Sequence, residues 1–378
     1  MTRMVDGAAM GDAFGVYVHV PFCSHRCGYC DFATWADRAH LVDDYVAACV
    51  VDLDRQRVAG LTPATTVFLG GGTPSLLDGN QVARLLDAIP RAVGAEVTVE
   101  CNPDTVDAER LGAYAGAGVN RISLGVQSMR PHVLAVLERT HDPDNVARAV
   151  AAARGAGIDR INLDLIYGTP GETLEDFSAT LDAVLDLEPE HVSAYALTAE
   201  PATPLGQAVA RGAVAAPDDD TQADMYLLAE ARLAAAGFGW YEISNWARAG
   251  EECRHNLGYW LGADWTAVGC AAHGRRDGRR WWNVRTPERY IDRIRAGEDP
   301  AQGDEVLDPA ARREEEFGLR LRTRFGAAAD PRADGVVEDL VAGGLARRVD
   351  DLVVLTPPGR LVASDLTARL LIAGAAGV

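Results

Sequence analysis

Three cysteines, Cys23, Cys27 and Cys30, form a C-x3-C-x2-C run within the stretch from Tyr17 to Phe32, YVHVPFCSHRCGYCDF. Thiolates are soft ligands, and a triplet this tight on one loop can surround zinc or an iron–sulfur cluster. A structural zinc takes four protein ligands, and so does a cluster that only stores electrons. Three cysteines therefore point to an iron with one corner open to a substrate, with zinc completed by His25 or Asp31 as the competing reading. A second stretch with chemical potential is Gly70-Gly71-Gly72-Thr73-Pro74. Glycines let backbone approach a ligand closely and leave N–H groups free to meet a carboxylate. A tight turn also needs glycine, so the run alone does not choose between the two.

The elements around these residues alternate. Short β-rich runs at 16–20, 65–69, 96–100, 121–126, 161–166 and 191–197 are separated by stretches of helical periodicity, among them 41–58, a helix from Asp78 to about Val93, and 173–187. Strands alternating with helices imply a parallel sheet with right-handed crossovers. Six units suggest a partial TIM-like (β/α)6 barrel, although a doubly wound sheet fits the same alternation. In both arrangements ligands sit at the C-terminal ends of the strands. The cysteine loop, the glycine run, Glu100, Gln127 and Asp164 all fall at that edge. Beyond a helix at 220–236 the pattern changes. The expected division is a flexible N-terminus at 1–15, the barrel at 16–236, an aromatic, glycine-rich segment at 237–285 packed on it, and a smaller α+β, winged-helix-like domain at 286–378.

The 378 residues suffice for a large core, and 48% hydrophobic with 24% charged residues is ordinary for a globular chain. Seven cysteines with a clustered triplet argue against a disulfide framework and for a reducing, cytoplasmic setting, and no run is long or apolar enough to read as a signal peptide or a membrane span. A net charge of −19 argues against nucleic acid as a partner. Arg275, Arg276, Arg279 and Arg280, around Asp277 and Gly278, read first as a solvated hairpin tip and second as a local anion contact.

Taken together, YVHVPFCSHRCGYC and FLGGGTPS resemble the radical S-adenosylmethionine superfamily and, within it, the oxygen-independent coproporphyrinogen III oxidase family with its heme chaperone (HemW-like) relatives, over about residues 16–371. The resemblance implies a radical S-adenosylmethionine barrel in which Cys23, Cys27 and Cys30 bind three irons of a 4Fe-4S cluster and S-adenosylmethionine takes the fourth. It further implies that Tyr17 lies against the cofactor near the cluster and that Gly71, Gly72 and Thr73 line its methionine end. Glu100, in VECNP, would accept hydrogen bonds from the cofactor, and Gln127, Arg139 and Asp164 would complete the pocket. Each has a plainer reading as a cap, a loop anchor or, for Arg139, an exposed helix residue.

Two features separate the branches. The oxidases carry a further cysteine where this chain has Phe32, and a longer extension than the 22 residues that precede Cys23. The run from Arg254 to Trp260, RHNLGYW, matches the H-N-x-x-Y-W signature of the chaperone branch. By that resemblance His255 is an axial ligand of heme, with Tyr259 and Trp260 offering flat surface to the porphyrin. Without the family, a lone histidine in such a loop reads as a hydrogen-bonded structural residue. Cys49, Cys101, Cys253 and Cys270 read as packing residues, and His273 has no assigned role.

The expected function is thus a heme chaperone that passes heme to a respiratory hemoprotein, from the cytoplasm or the inner face of the membrane, with room for a homodimer. The enzyme reading is oxidative decarboxylation of coproporphyrinogen III through a 5'-deoxyadenosyl radical, and a third reading is a radical enzyme with another substrate.

Overall fold

The computed structural model describes residues 13–375. Most of the stretch expected to be flexible, 1–15, lies outside that range, and the first strand already begins at Phe14. Six strands, β1 (Phe14–Val20), β2 (Ala64–Gly71), β3 (Arg91–Cys101), β4 (Arg121–Gln127), β5 (Arg160–Tyr167) and β6 (His191–Ala196), lie side by side in chain order, all parallel. No residue of β1, β2, β4 or β5 is exposed, as a parallel sheet covered on both faces requires. The intervening helices start where the sequence supplies caps. Asp78 and Gln81 form a capping box at Gly79–Asp87, and Thr173 and Asp176 form another at Leu174–Leu185. The first of these ends at Asp87 and not near Val93. Pro90 disfavours helical backbone before it and has no N–H to donate, and β3 opens at Arg91.

The sheet runs across the expected boundaries at 236 and 285. Beyond β6 it gains β8 (Asn245–Ala247) and then β7 (Gly239–Glu242), both antiparallel. On the other side β9 (Asp264–Val268) pairs parallel with β1, and β10 (His273–Arg276), β11 (Arg279–Asn283) and β12 (Ala301–Val306) follow it antiparallel. The result is an open twelve-stranded sheet whose parallel centre is the partial barrel. The arginine-rich stretch is the β10–β11 hairpin, turning at Asp277 and Gly278 with positive φ at both. Its arginines are paired, Arg275 with Glu316, Arg279 with Asp304 and Arg280 with Glu305.

A separate core of Leu321, Val337, Leu340, Val353, Leu355, Leu366 and Leu370 holds the C-terminal unit together. There a three-stranded sheet of β13 (Ala327–Ala328), β14 (Ala346–Val349) and β15 (Leu352–Leu355) packs with helices Pro309–Leu321, Asp334–Ala342 and Ala363–Ala375, in the expected winged-helix-like manner. Arg360 lies 3.6 Å from the Trp240 ring centroid and 2.8 Å from Glu230, which ties this unit to the larger sheet. Among the described residues no helix is long and apolar enough to cross a membrane.

The N-terminal end of the barrel is closed by helix Arg254–Leu261, and Glu96 anchors it. Fully buried, its carboxylate accepts the His255 N–H at 3.1 Å and pairs with Arg160 at 3.3 Å. It thereby caps a helix whose own N-cap, Cys253, makes no side-chain cap. Replacing Glu96 by alanine leaves the His255 N–H at the helix end without its acceptor, while Arg160 keeps Glu251 at 2.7 Å. We expect Glu96→Ala to lose roughly 2 kcal/mol in urea unfolding; an unchanged midpoint would show that the helix is held by packing alone.

Candidate cofactor site

The cysteine loop is shaped by the strands that flank it. After Val20 the chain leaves the sheet, and the Cys23 N–H donates to the Trp35 carbonyl at 3.1 Å, closing the loop at its base. Within it the Cys30 N–H donates to the Cys27 carbonyl at 3.2 Å, and Arg26 reaches the Cys30 carbonyl at 3.1 Å. The glycine run of β2 lies directly alongside. Gly72 donates to the Val20 carbonyl at 2.8 Å and Thr73 to the Phe22 carbonyl at 2.7 Å. A Cβ at Gly72 would stand 2.6 Å from the Phe22 oxygen and 3.1 Å from the Cys23 sulfur, so any larger residue would push the loop away. Gly71 has φ 113°, and a Cβ there would strike the His19 imidazole. His19 meets the Ala33 carbonyl through Nε2 at 3.0 Å and so holds the far arm of the loop.

A cavity of about 410 Å³ opens at this edge, and its lining includes Cys23, Cys27, Cys30, Gly71, Gly72, Thr73, Glu100, Gln127, Arg139 and Asp164. Ten of the eleven residues expected to serve the cluster or its cofactor therefore share one space. Glu100 accepts the Gly71 N–H at 2.9 Å. Burial, and then the charge of Asp164, push its carboxyl up to about 7. Asp164 accepts from Ser123 at 2.6 Å and from Asn162 at 2.8 Å. Arg139 is half-buried, not an exposed helix residue. It donates to the Gly125 carbonyl at 2.7 Å and stands 3.7 Å from the Cys27 sulfur, while its Nε is buried without a partner. Gln127 ends β4 in left-handed backbone, φ 63°.

The donor set suits a cluster. All three thiols are free and half-buried, and burial raises the pKa of Cys23 and Cys30, so metal must displace their protons. Ligands of a single zinc converge on one point, whereas thiols that each take a different iron need not. Among the described residues no three His, Cys, Asp or Glu side chains converge in the first way. The Thr73 hydroxyl lies 3.6 Å from the Cys23 sulfur.

Tyr17 lies elsewhere. Its ring stacks near Phe68, its hydroxyl meets His19 Nδ1 at 3.1 Å, and it borders two neighbouring cavities in place of this one. The expected axial ligand also departs from its expected setting. His255 is 3% exposed, with Nδ1 against the Thr66 hydroxyl and Nε2 against the Tyr259 hydroxyl, both at 2.8 Å. Burial lowers its pKa to about 4, which fits a neutral ring held between two hydroxyls. An iron could reach Nε2 only by displacing Tyr259, so the ring is a satisfied structural histidine in this conformation. Tyr259 borders the two neighbouring cavities, and Trp260 is half-buried and borders none of the three. Cys49, Cys101, Cys253 and Cys270 are buried packing residues, as their surroundings in sequence suggested.

Sequence reading missed the polar support of Asp164. Ser123, Asn162 and Ser193 face one another on β4, β5 and β6 and are mutually hydrogen-bonded. The available signal was a polar residue on each of three neighbouring strands, Ser123 paired with Asn162 and Ser193 paired with Asp164.

A barrel edge carrying three thiols beside a glycine turn defines a class, and comparison agrees: the Radical SAM superfamily model matches residues 17–184. Such a domain implies a 4Fe-4S cluster and S-adenosylmethionine. The fold superimposes on the Escherichia coli coproporphyrinogen III oxidase HemN with a TM-score of 0.83, covering 96% of this chain and 90% of that one, at 21% identity. A protein of Mycobacterium tuberculosis called heme chaperone HemW is 45% identical over 96% of this chain and 95% of its own length. One of the same name from Bacillus subtilis is 34% identical over 94% and 98%. The chain belongs to the HemW family of radical S-adenosylmethionine proteins.

Two outcomes follow. Gly72→Ala should fold yet retain less than about a tenth of the parent's iron and sulfide after anaerobic reconstitution, because the Cβ displaces Cys23; full retention would show that the loop tolerates the shift. A raised carboxyl pKa costs the folded state stability as pH climbs from the unfolded value toward about 7. Glu100→Gln should therefore melt about 3 °C above the parent at pH 8, with the gap closing by pH 5; a gap independent of pH would mean that Glu100 ionises normally.

Proposed function

We propose that this protein is a heme chaperone that receives heme and hands it to a respiratory hemoprotein. The observation that carries the reading is end-to-end similarity to proteins called heme chaperone HemW, at 45% and 34% identity. Phe32, where the oxidases are expected to have a further cysteine, points the same way.

In this reading Cys23, Cys27 and Cys30 hold the cluster, and Gly71, Gly72, Thr73, Glu100, Gln127, Arg139 and Asp164 hold S-adenosylmethionine. The cluster, when bound, supplies one-electron chemistry. The chain's own part is positional. Gly71 and Gly72 keep the cofactor's approach open, Arg139 sets a positive charge beside the Cys27 sulfur, and Glu100 offers a carboxylate to a cationic ligand, which would favour its ionised form. A net charge of −19 favours contact with the acceptor protein over anionic lipid if delivery occurs at the inner face of a membrane.

Two assays on one anaerobically reconstituted preparation test the reading. Heme titration should saturate at a fixed stoichiometry, and coproporphyrinogen III given with S-adenosylmethionine and reductant should remain unconverted. Rapid appearance of protoporphyrinogen IX would overturn the chaperone assignment in favour of the oxidase.

A further inference from the structure

The barrel cavity is not the only concave space at the cysteine loop. A second one, of about 760 Å³, lies on the other side of Asp31 and Phe32, over the β9–β11 extension of the sheet. Phe32, Tyr259, Trp265 and Trp282 give its walls an aromatic character, and its polar lining includes His273 and Arg285 together with Asp31, Asn283 and Gln302. Phe32 is 64% exposed, too much for a packing residue.

The walls are held in place. Trp282 pairs with His273 across β10 and β11, their ring planes 28° apart with centroids at 6.1 Å. It can lie close over β12 because Gly303 has no side chain, where a Cβ would stand 2.6 Å from the indole. The Trp265 indole N–H donates to the His273 carbonyl at 2.7 Å, and its ring meets Tyr259 edge-on at 4.6 Å. The Tyr259 hydroxyl in turn is fixed by His255 Nε2 at 2.8 Å.

Two groups are left uncommitted. His273 is exposed, and neither ring nitrogen makes a hydrogen bond among the described residues. Arg285 makes no ion pair among the described residues, although Arg275, Arg279 and Arg280 nearby each have an acidic partner. Aromatic walls, an imidazole and a guanidinium that have no hydrogen-bond or ion-pair partner among the described residues match a planar macrocycle that carries a metal and carboxylate arms.

Building on the heme-chaperone reading, we propose that heme sits in this second cavity, between Phe32, Trp265 and Trp282, with His273 Nε2 or Nδ1 on the iron and Arg285 on a propionate. His255 is then a positioning residue that acts through Tyr259. The site is open to solvent, as a carrier's must be, and shares the cysteine loop with the cofactor cavity, so each can sense how the other is filled.

Titration of the full chain with ferric heme and, separately, with iron-free protoporphyrin IX tests this, followed by absorbance and electron paramagnetic resonance. For His273→Ala we expect heme affinity to fall about 10-fold or more and the nitrogen-ligand signature to disappear, while protoporphyrin IX binds within about twofold of the parent. Imidazole added to His273→Gly should restore the signature. His255→Ala, checked for folding by circular dichroism, and Tyr259→Phe should weaken both ligands alike and leave the iron's spectrum unchanged in type. A parent that binds heme together with a His273→Ala variant of unchanged spectrum and affinity would overturn the site and leave the chaperone reading intact. The site is overturned in the same way if folded His255→Ala loses the signature and His273→Ala keeps it. A parent that takes up no heme would overturn both.

Discussion

Two backbone hydrogen bonds, from Gly72 to Val20 and from Thr73 to Phe22, fasten the cysteine loop to the turn that follows β2. They continue the β1–β2 ladder past the last paired residues of the sheet, so the loop is held by the same register that orders the strands. The contact is so close that only glycine fits at 72. The cradle, the neighbouring carboxylates and the wall shared with the second cavity all depend on that approach.

The barrel then does what its topology demands. Parallel strands release their loops at one edge, and residues separated by more than a hundred positions meet there. The pocket brings two carboxyls and a guanidinium together. Glu100 and Asp164 face each other with the dielectric cost of burial added to their repulsion, and Ser123 and Asn162 offset part of it for Asp164. With its carboxyl pushed up to about 7, Glu100 responds strongly to an incoming cation.

How much of this was legible in sequence follows from the range over which each residue acts. Strand–helix alternation and capping residues such as Asp78 and Thr173 are local, and the six parallel strands fall where they were expected. The cluster triplet and the glycine run carry their meaning in spacing, and they share a cavity. Within the β9–β12 extension only the β10–β11 hairpin tip was legible; its attachment to the sheet was not, because β9 pairs with β1, far back in the chain, and no local period announces a pairing of that range. His255 shows the opposite limit. A motif can mark a residue without saying which way its ring is committed, and here Thr66 and Tyr259 take both nitrogens. His273, which has no motif of its own, makes no ring hydrogen bond among the described residues.

The central claim is that three thiols and a glycine turn leave one iron of a cluster open to S-adenosylmethionine. The most direct measurement is the electron paramagnetic resonance spectrum of the reduced, reconstituted protein with and without that cofactor. The account predicts a clear change in g-values when it is added, with nitrogen hyperfine coupling from an isotopically labelled amino group. A spectrum indifferent to the cofactor, or a preparation that binds only zinc, would contradict it.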